Sequence, residues 1–194
     1  MVTCKDQNLF NLLDDFHIAT TSQIHRLFYP NSSYQYTCKR LKYLLDNGYI
    51  KQASSTINNG YAYYTGTKPV QIHHDLIRTE LFVNIKQKYK VLAWQNEEKV
   101  KNIRPDATVY IENSAFAYIE NSNIVFPVFI EVHLNNHFNF DKYSNLIKTT
   151  DLKALYGIMP RVIICTDREV KLPVMGVKFK LVGLDMSGLD TLFK

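Results

Sequence analysis

The most β-branched, apolar run in the chain, carried by Val125, Val128, Ile130 and Val132, is interrupted by a carboxylate, Glu131, with His133 two residues on. A run of that composition suits a buried strand. An acid is expensive to desolvate there unless it is paired or put to chemical use. A second acid, Asp106, follows Arg104-Pro105 at the start of another strand. If the two strands share a sheet, the two carboxylates can hold one divalent metal. The plainer alternative is that Pro105-Asp106 is a turn into a strand and that Glu131 pairs with Arg104 or Arg161.

At 194 residues, with 46% apolar and 21% charged residues, the chain has enough mass for one mid-sized domain or two small ones with a real core. Extensive disorder is excluded by that balance. The net charge of +5 and pI near 9.0 favour an anionic partner such as nucleic acid without specifying one. Three widely spaced cysteines, Cys4, Cys38 and Cys165, form no CxxC pair, so neither a disulfide framework nor a zinc site is expected. The first fifteen residues hold three acids and no long apolar core, and no run reaches membrane-spanning length. A soluble, cytoplasmic protein is expected.

From the N-terminus, Leu9, Phe10, Leu12, Leu13 and Phe16 form a helical stripe. Thr20-Thr21-Ser22-Gln23 has capping-box spacing and should open a short helix carrying Ile24, Leu27 and Phe28, stopped by Pro30. Ser32 or Ser33 can cap a third helix whose Leu41, Leu44 and Leu45 face inward, and Asn47-Gly48 ends it. Residues 49–54 and 61–65, joined across Asn58-Asn59-Gly60, read as a hairpin. Three helices and a hairpin over residues 5–66, with Arg40 to Ile50 running from helix through Asn-Gly into a hydrophobic strand, resemble a winged-helix DNA-binding domain. That resemblance implies base or phosphate contacts from Ser33, Gln35, Lys39, Arg40 and Lys42 on the third helix, and backbone or minor-groove contacts from Lys51, Tyr61 and Tyr63 on the wing. Gln35 would bond adenine, and Lys39 or Arg40 guanine or phosphate. Tyr34 and Tyr36 are expected to pack inward. The rival use of such a domain is protein contact.

A junction near residues 67–71 divides the chain into domains 1–66 and 67–194. Pro69 should open a long helix to about residue 90, with Leu76, Ile77, Leu81, Val83 and Ile85 buried and Glu80 beside that face. Strands are expected at 91–96, 106–112, 115–120, 126–134 and 162–166, with a basic loop at 99–104, a helix at 141–156 and an edge strand at 179–184. Pro-Asp on one strand and an acid on the next, in the order helix, three strands, helix, strand, resemble the PD-(D/E)xK restriction-endonuclease core. The fold class is thus read as α+β, an N-terminal winged helix-turn-helix followed by a restriction-endonuclease-like α/β domain with a mixed central sheet.

The nuclease resemblance implies Asp106 and Glu131 as ligands of Mg or Mn, with Glu80 as a third acid or a water holder. His133 stands where the family has lysine. It shares a strand face with Glu131, yet imidazole is mostly neutral at pH 7 and shorter in reach. Either it serves as base or ligand in an active variant, or the domain has kept its fold and lost hydrolysis. Of the other histidines, His73 and His74 point apart on a helix and read as surface or capping groups, while His137 lies close enough in sequence to share a pocket with His133.

His74 with Glu80, Arg104-Pro105-Asp106, Phe129-Ile130-Glu131 and Lys142-Tyr143, following a winged helix, together look like the replication-relaxation family of plasmids, phages and integrative elements of Gram-positive bacteria. The resemblance implies a sequence-specific double-stranded DNA-binding protein serving replication, transfer or transcription control. Its nuclease-like domain would have lost hydrolysis, and its partners would be DNA, a relaxase or replication initiator, and a second copy of the chain. The alternatives are an active metal-dependent endonuclease or nickase using Asp106, Glu131 and His133, and a protein-interaction adaptor.

Overall fold

A computed structural model describes residues 1–113, 124–134 and 138–191. Among these, six α-helices and two sheets, of three and five strands, give a mixed α+β fold. The chain divides into two compact units, Met1–Val83 and Asn84–Lys194, the division falling within the long helix.

In the first unit, α1 (Cys4–Phe16) begins at Thr3. The Thr3 hydroxyl accepts the Asp6 N–H, and the Asp6 carboxylate accepts the Thr3 N–H. β1 (Ala19–Thr20) leads directly into α2 (Thr21–Phe28) through the capping box read from the sequence. The Gln23 carboxamide oxygen accepts the Thr20 N–H at 2.8 Å, and the Thr20 hydroxyl accepts the Gln23 N–H at 3.2 Å. Ser33 caps α3 (Tyr34–Asp46) by accepting the Tyr36 N–H. Gly48, at φ +73°, ends that helix in the left-handed region, where the Asn-Gly signal had placed the stop.

β2 (Lys51–Ser54) and β3 (Tyr61–Tyr64) pair antiparallel, and β1 joins the free edge of β3 to give the order β1-β3-β2. Leu9, Leu13, Ile18, Ile24, Leu41, Leu44 and Ile50 are buried. Each such side chain contributes roughly 1.5–3 kcal/mol on leaving water. The first turns of α4 (Ile72–Lys88) belong to this unit, with Leu76 packed on Ile18, Ala53, Ala62 and Tyr64. Within the same turns the fully buried Arg78 pairs with Asp75 at 3.1 Å.

The second unit is built on five strands in the order β4-β5-β6-β7-β8. β4 (Lys90–Asn96), β5 (Ala107–Asn113) and β6 (Ile124–Val132) run antiparallel in turn. β7 (Arg161–Cys165) and β8 (Lys178–Val182) then continue parallel to β6, making the sheet mixed. A parallel return needs a crossover, which α5 (Asp141–Thr149) and α6 (Leu152–Tyr156) occupy between β6 and β7. From Phe126 to Val132 every residue of β6 is buried, as suits a central strand covered on both faces. On one face Phe129, Val162 and Ile164 form a core with Tyr143 and Leu146 of α5 and Leu152 of α6.

The single helix expected over residues 141–156 is two. Thr150 is extended, at φ −141° and ψ 128°, and Asp151 restarts the chain as an N-cap by accepting the Ala154 N–H at 2.9 Å. β-Branched threonines followed by a capping aspartate favour that break. The strand expected at 115–120 lies outside the described residues, as does His137.

Candidate nucleic-acid interface and acid cluster

α3 has two unlike faces because its apolar residues recur at helical spacing. Thr37, Leu41 and Leu44 are buried, while Ser33, Gln35 and Lys39 are exposed. Lys42 is also exposed and forms an i,i+4 pair with Asp46 at 3.1 Å. Tyr34 and Tyr36 do not pack inward as expected. Each is about half exposed, Tyr34 edge-on to His25 and Tyr36 edge-on to Tyr29. Both lie in the first turn of α3, which begins at Tyr34.

Arg40 lies elsewhere. Its guanidinium donates to both oxygens of Asp6, with Nε–Oδ1 at 2.9 Å, and to the Met1 carbonyl at 2.8 Å. Asp6 is fully buried. Burial alone would raise its carboxyl, but the Arg40 bonds and those of Thr3 outweigh it and bring the carboxyl down to about 2. Tyr29 donates to the same carboxylate, and burial together with the Asp6 charge pushes its phenol up to about 12. Arg40 thus ties α3 to α1.

On the hairpin, Tyr61 is 58% exposed and Lys51 donates to the Gly66 carbonyl at 2.5 Å. Tyr63, expected beside Tyr61 on the outer surface, shares that residue's face of β3 but is buried, paired on one side with Ala19 of β1 and on the other with Gln52 of β2.

In the second unit the register pairs Ala107 with Ile130. One further step along the same ladder sets Asp106 beside Glu131. The Asp106 carboxylate accepts the Val132 N–H at 2.7 Å, taking up a donor where the ladder ends. Glu131, 7% exposed, faces α5, where the Tyr143 hydroxyl and the Lys142 ammonium both donate to its Oε1 at 2.6 Å. Burial raises the Glu131 carboxyl and the Asp106 charge adds to this, against the opposing pull of Lys142 and Tyr143. The Tyr143 phenol is driven well above its ordinary range by burial and the Glu131 charge. His133 donates its backbone N–H to the Cys165 carbonyl, and its ring meets Phe138 edge-on at 5.5 Å. Lys142 also lies over the rings of Phe138 and Tyr143.

The cation beside Glu131 is therefore Lys142 from the crossover helix, not Arg104 or Arg161. The strand position two residues after the acid keeps its histidine while a lysine arrives from another element. Lys142-Tyr143 belongs to the family resemblance, which implies no separate role for either residue. The signal available was an adjacent basic and phenolic pair at the start of an amphipathic helix.

Glu80, expected as a third acid, accepts from Arg26 at 2.5 Å and from Gln23 at 3.0 Å within the first unit. Among the described residues no group of three His, Cys, Asp or Glu is placed to hold a metal ion. The donor set does not fit the divalent ion that the nuclease resemblance implies, since one Glu131 oxygen already receives an ammonium and a phenol. His73 is half-buried beside the Thr56 hydroxyl, and His74 is near Asp75. The three cysteines are free thiols, Cys165 buried and the other two exposed.

No family model, curated protein or solved structure matches the chain. Among the described residues no helix is long and apolar enough to cross a membrane.

Proposed function

We propose that this chain is a double-stranded DNA-binding protein of the replication-relaxation kind, serving replication, transfer or transcription control of a mobile element. The observation that carries the reading is the two-faced α3. Its Thr37-Leu41-Leu44 side is held in the core while Ser33, Gln35 and Lys39 stand in solvent ahead of the β2-β3 hairpin, whose tip at residues 58–61 is exposed. In a winged helix that arrangement lets the helix enter the major groove and the hairpin touch the backbone. Gln35 would bond adenine, Lys39 guanine or phosphate, and Tyr61 and Lys51 the sugar–phosphate backbone. Arg40 serves by holding α3 on α1 rather than by touching DNA.

A gel-shift series over salt, using DNA from the native locus, tests this. Affinity should fall linearly on a log–log plot against salt. Lys39→Ala should weaken binding about tenfold, as loss of one base or phosphate contact does, with an unchanged melting temperature. Absence of a salt-dependent shift on any DNA from that locus removes the reading and leaves a protein-interaction adaptor.

The second unit is proposed as a nuclease-like scaffold without hydrolysis, used for pairing with a second copy or for added DNA contact; a dimer would gain affinity from two half-sites. Support comes from Glu131 being bonded to Lys142 and Tyr143. The rival endonuclease reading has in its favour the adjacency of Asp106 and Glu131 with a lysine. Supercoiled plasmid incubated with Mg²⁺ or Mn²⁺ is expected to remain intact, and nicking that vanishes in Asp106→Ala would establish the rival. A relaxase or replication initiator remains the proposed protein partner.

A further inference from the structure

A pocket of about 600 Å³ lies in the second unit, between the loop after β4, the strands β5 and β6, and α6. Its volume is in the range of small-molecule sites. None of its lining residues is among those around Glu131. From the loop come Glu98, Lys99 and Lys101, from β5 Tyr110, from β6 Pro127 and from α6 Tyr156.

Three features of this pocket point to a ligand. First, Glu98 Oε2 is buried and has no hydrogen-bond partner among the described residues. Such an atom is rare and calls for a donor; the soft torsion of a glutamate carboxyl lets a small rotation present it to the pocket. Second, Tyr110 and Tyr156 bring two half-buried phenol rings to one wall. Burial raises both hydroxyls, Tyr156 to about 12, and the Glu98 charge contributes to each, which places that carboxylate close to both rings. Third, the loop that lines the pocket holds an unusual backbone conformation. Val100 and Ile103 exchange backbone hydrogen bonds of 2.9 and 3.0 Å around a two-residue turn, and Lys101 holds φ +54° within it. A lysine seldom adopts that conformation, and residues so held concentrate at ligand sites.

We propose that this pocket binds a guanine nucleotide. The base lies against Tyr110 and Tyr156, its N1–H and 2-amino group donate to the Glu98 carboxylate, and its phosphate meets Lys99 and Lys101. Guanine is selected because its Watson–Crick edge offers two adjacent donors to one carboxylate, whereas adenine and cytosine each set a ring-nitrogen acceptor next to their amino group. Stacking on tyrosine serves any base and gives affinity without choice. An arginine from a protein partner would satisfy Glu98 but would face two lysines. The inference does not rest on DNA reading by the first unit. A free mononucleotide and an unpaired guanine in a single strand share this chemistry.

Calorimetric titration of the full chain with GMP, AMP and CMP, and with an oligothymidylate carrying one central guanine against the same strand without it, separates the sources. GMP, or the guanine strand over its control, should bind at least about tenfold tighter, the scale of charge-assisted bonds to one carboxylate. Binding of the strand without the mononucleotide would assign the pocket to unpaired nucleic acid. The isosteric Glu98→Gln should remove the preference. Lys99→Glu with Lys101→Glu should weaken GMP and leave guanosine unchanged. Equal affinity for all bases, no binding of either probe, or binding indifferent to both sets of substitutions in protein of native circular dichroism overturns the proposal.

Discussion

Lys142→Met is expected to destabilise the protein by about 2–3 kcal/mol near neutral pH, and adding Glu131→Gln to restore most of the loss. Lys142 Nζ lies 2.6 Å from the Glu131 carboxylate, with side-chain exposures of 30% and 9%. Removing one partner of a buried pair costs about 3–5 kcal/mol because the other charge stays buried. Partial exposure of the lysine and the surviving Tyr143 bond reduce that figure. The pH dependence has a definite sign. Burial holds the Glu131 carboxyl above its ordinary 4.5 even with Lys142 present, and without the ammonium it must rise further. A raised carboxyl favours the fold fully below its unfolded value, and that contribution is lost as pH rises through the folded value. The Lys142→Met protein should therefore be relatively more stable at pH 5 than at pH 8. In Glu131→Gln the amide oxygen can still accept from Tyr143 and the dependence disappears. Urea denaturation of the four proteins in a double-mutant cycle measures this; a loss equal at both pH values and unrelieved in the double substitution would show that Lys142 contributes through packing alone.

Lys142 also marks the limit of what the amino-acid order reveals here. Signals that act over three or four residues were readable as they stood. The Thr20–Gln23 capping box, the Ser33 cap and the Asn47-Gly48 stop all lie where their chemistry put them. The dense apolar, β-branched run likewise located β6, and its register with β5 sets Asp106 beside Glu131. What could not be read was choice of partner over long separations. Arg40 could equally face solvent or a carboxylate 34 residues back, and only the packing of α3 on α1 decides for Asp6. Glu80 went to α2 for the same reason, through Arg26 and Gln23. β1 escaped notice because two residues carry no periodicity, and its existence depends on β3 offering an edge. The break at Thr150 was hidden beneath apolar spacing that continues across it.

Arg40→Ala should cost about 3 kcal/mol, and it separates holding the fold from touching DNA. Asp6 is wholly buried and Arg40 largely so, so the substitution leaves a buried carboxylate with only Thr3 and Tyr29 as donors. For a unit of this size each kcal/mol lowers the melting temperature by about 4 °C or more. The acid limb should change as well. Asp6 is held at about 2 against an ordinary 3.8, a depressed carboxyl whose contribution, on the order of 2 kcal/mol, is present above about pH 4 and lost as pH falls toward 2. Without Arg40 that carboxyl loses its strongest stabilising bonds and burial raises it, so acid unfolding should begin at higher pH. Lys39→Ala, one residue away on the exposed side, should leave both melting and acid limb unchanged while weakening DNA. The two substitutions thus predict opposite readouts in the same pair of assays. An Arg40→Ala protein that melts normally yet binds DNA tenfold more weakly would return Arg40 to the groove and take away the account of how α3 is held on α1.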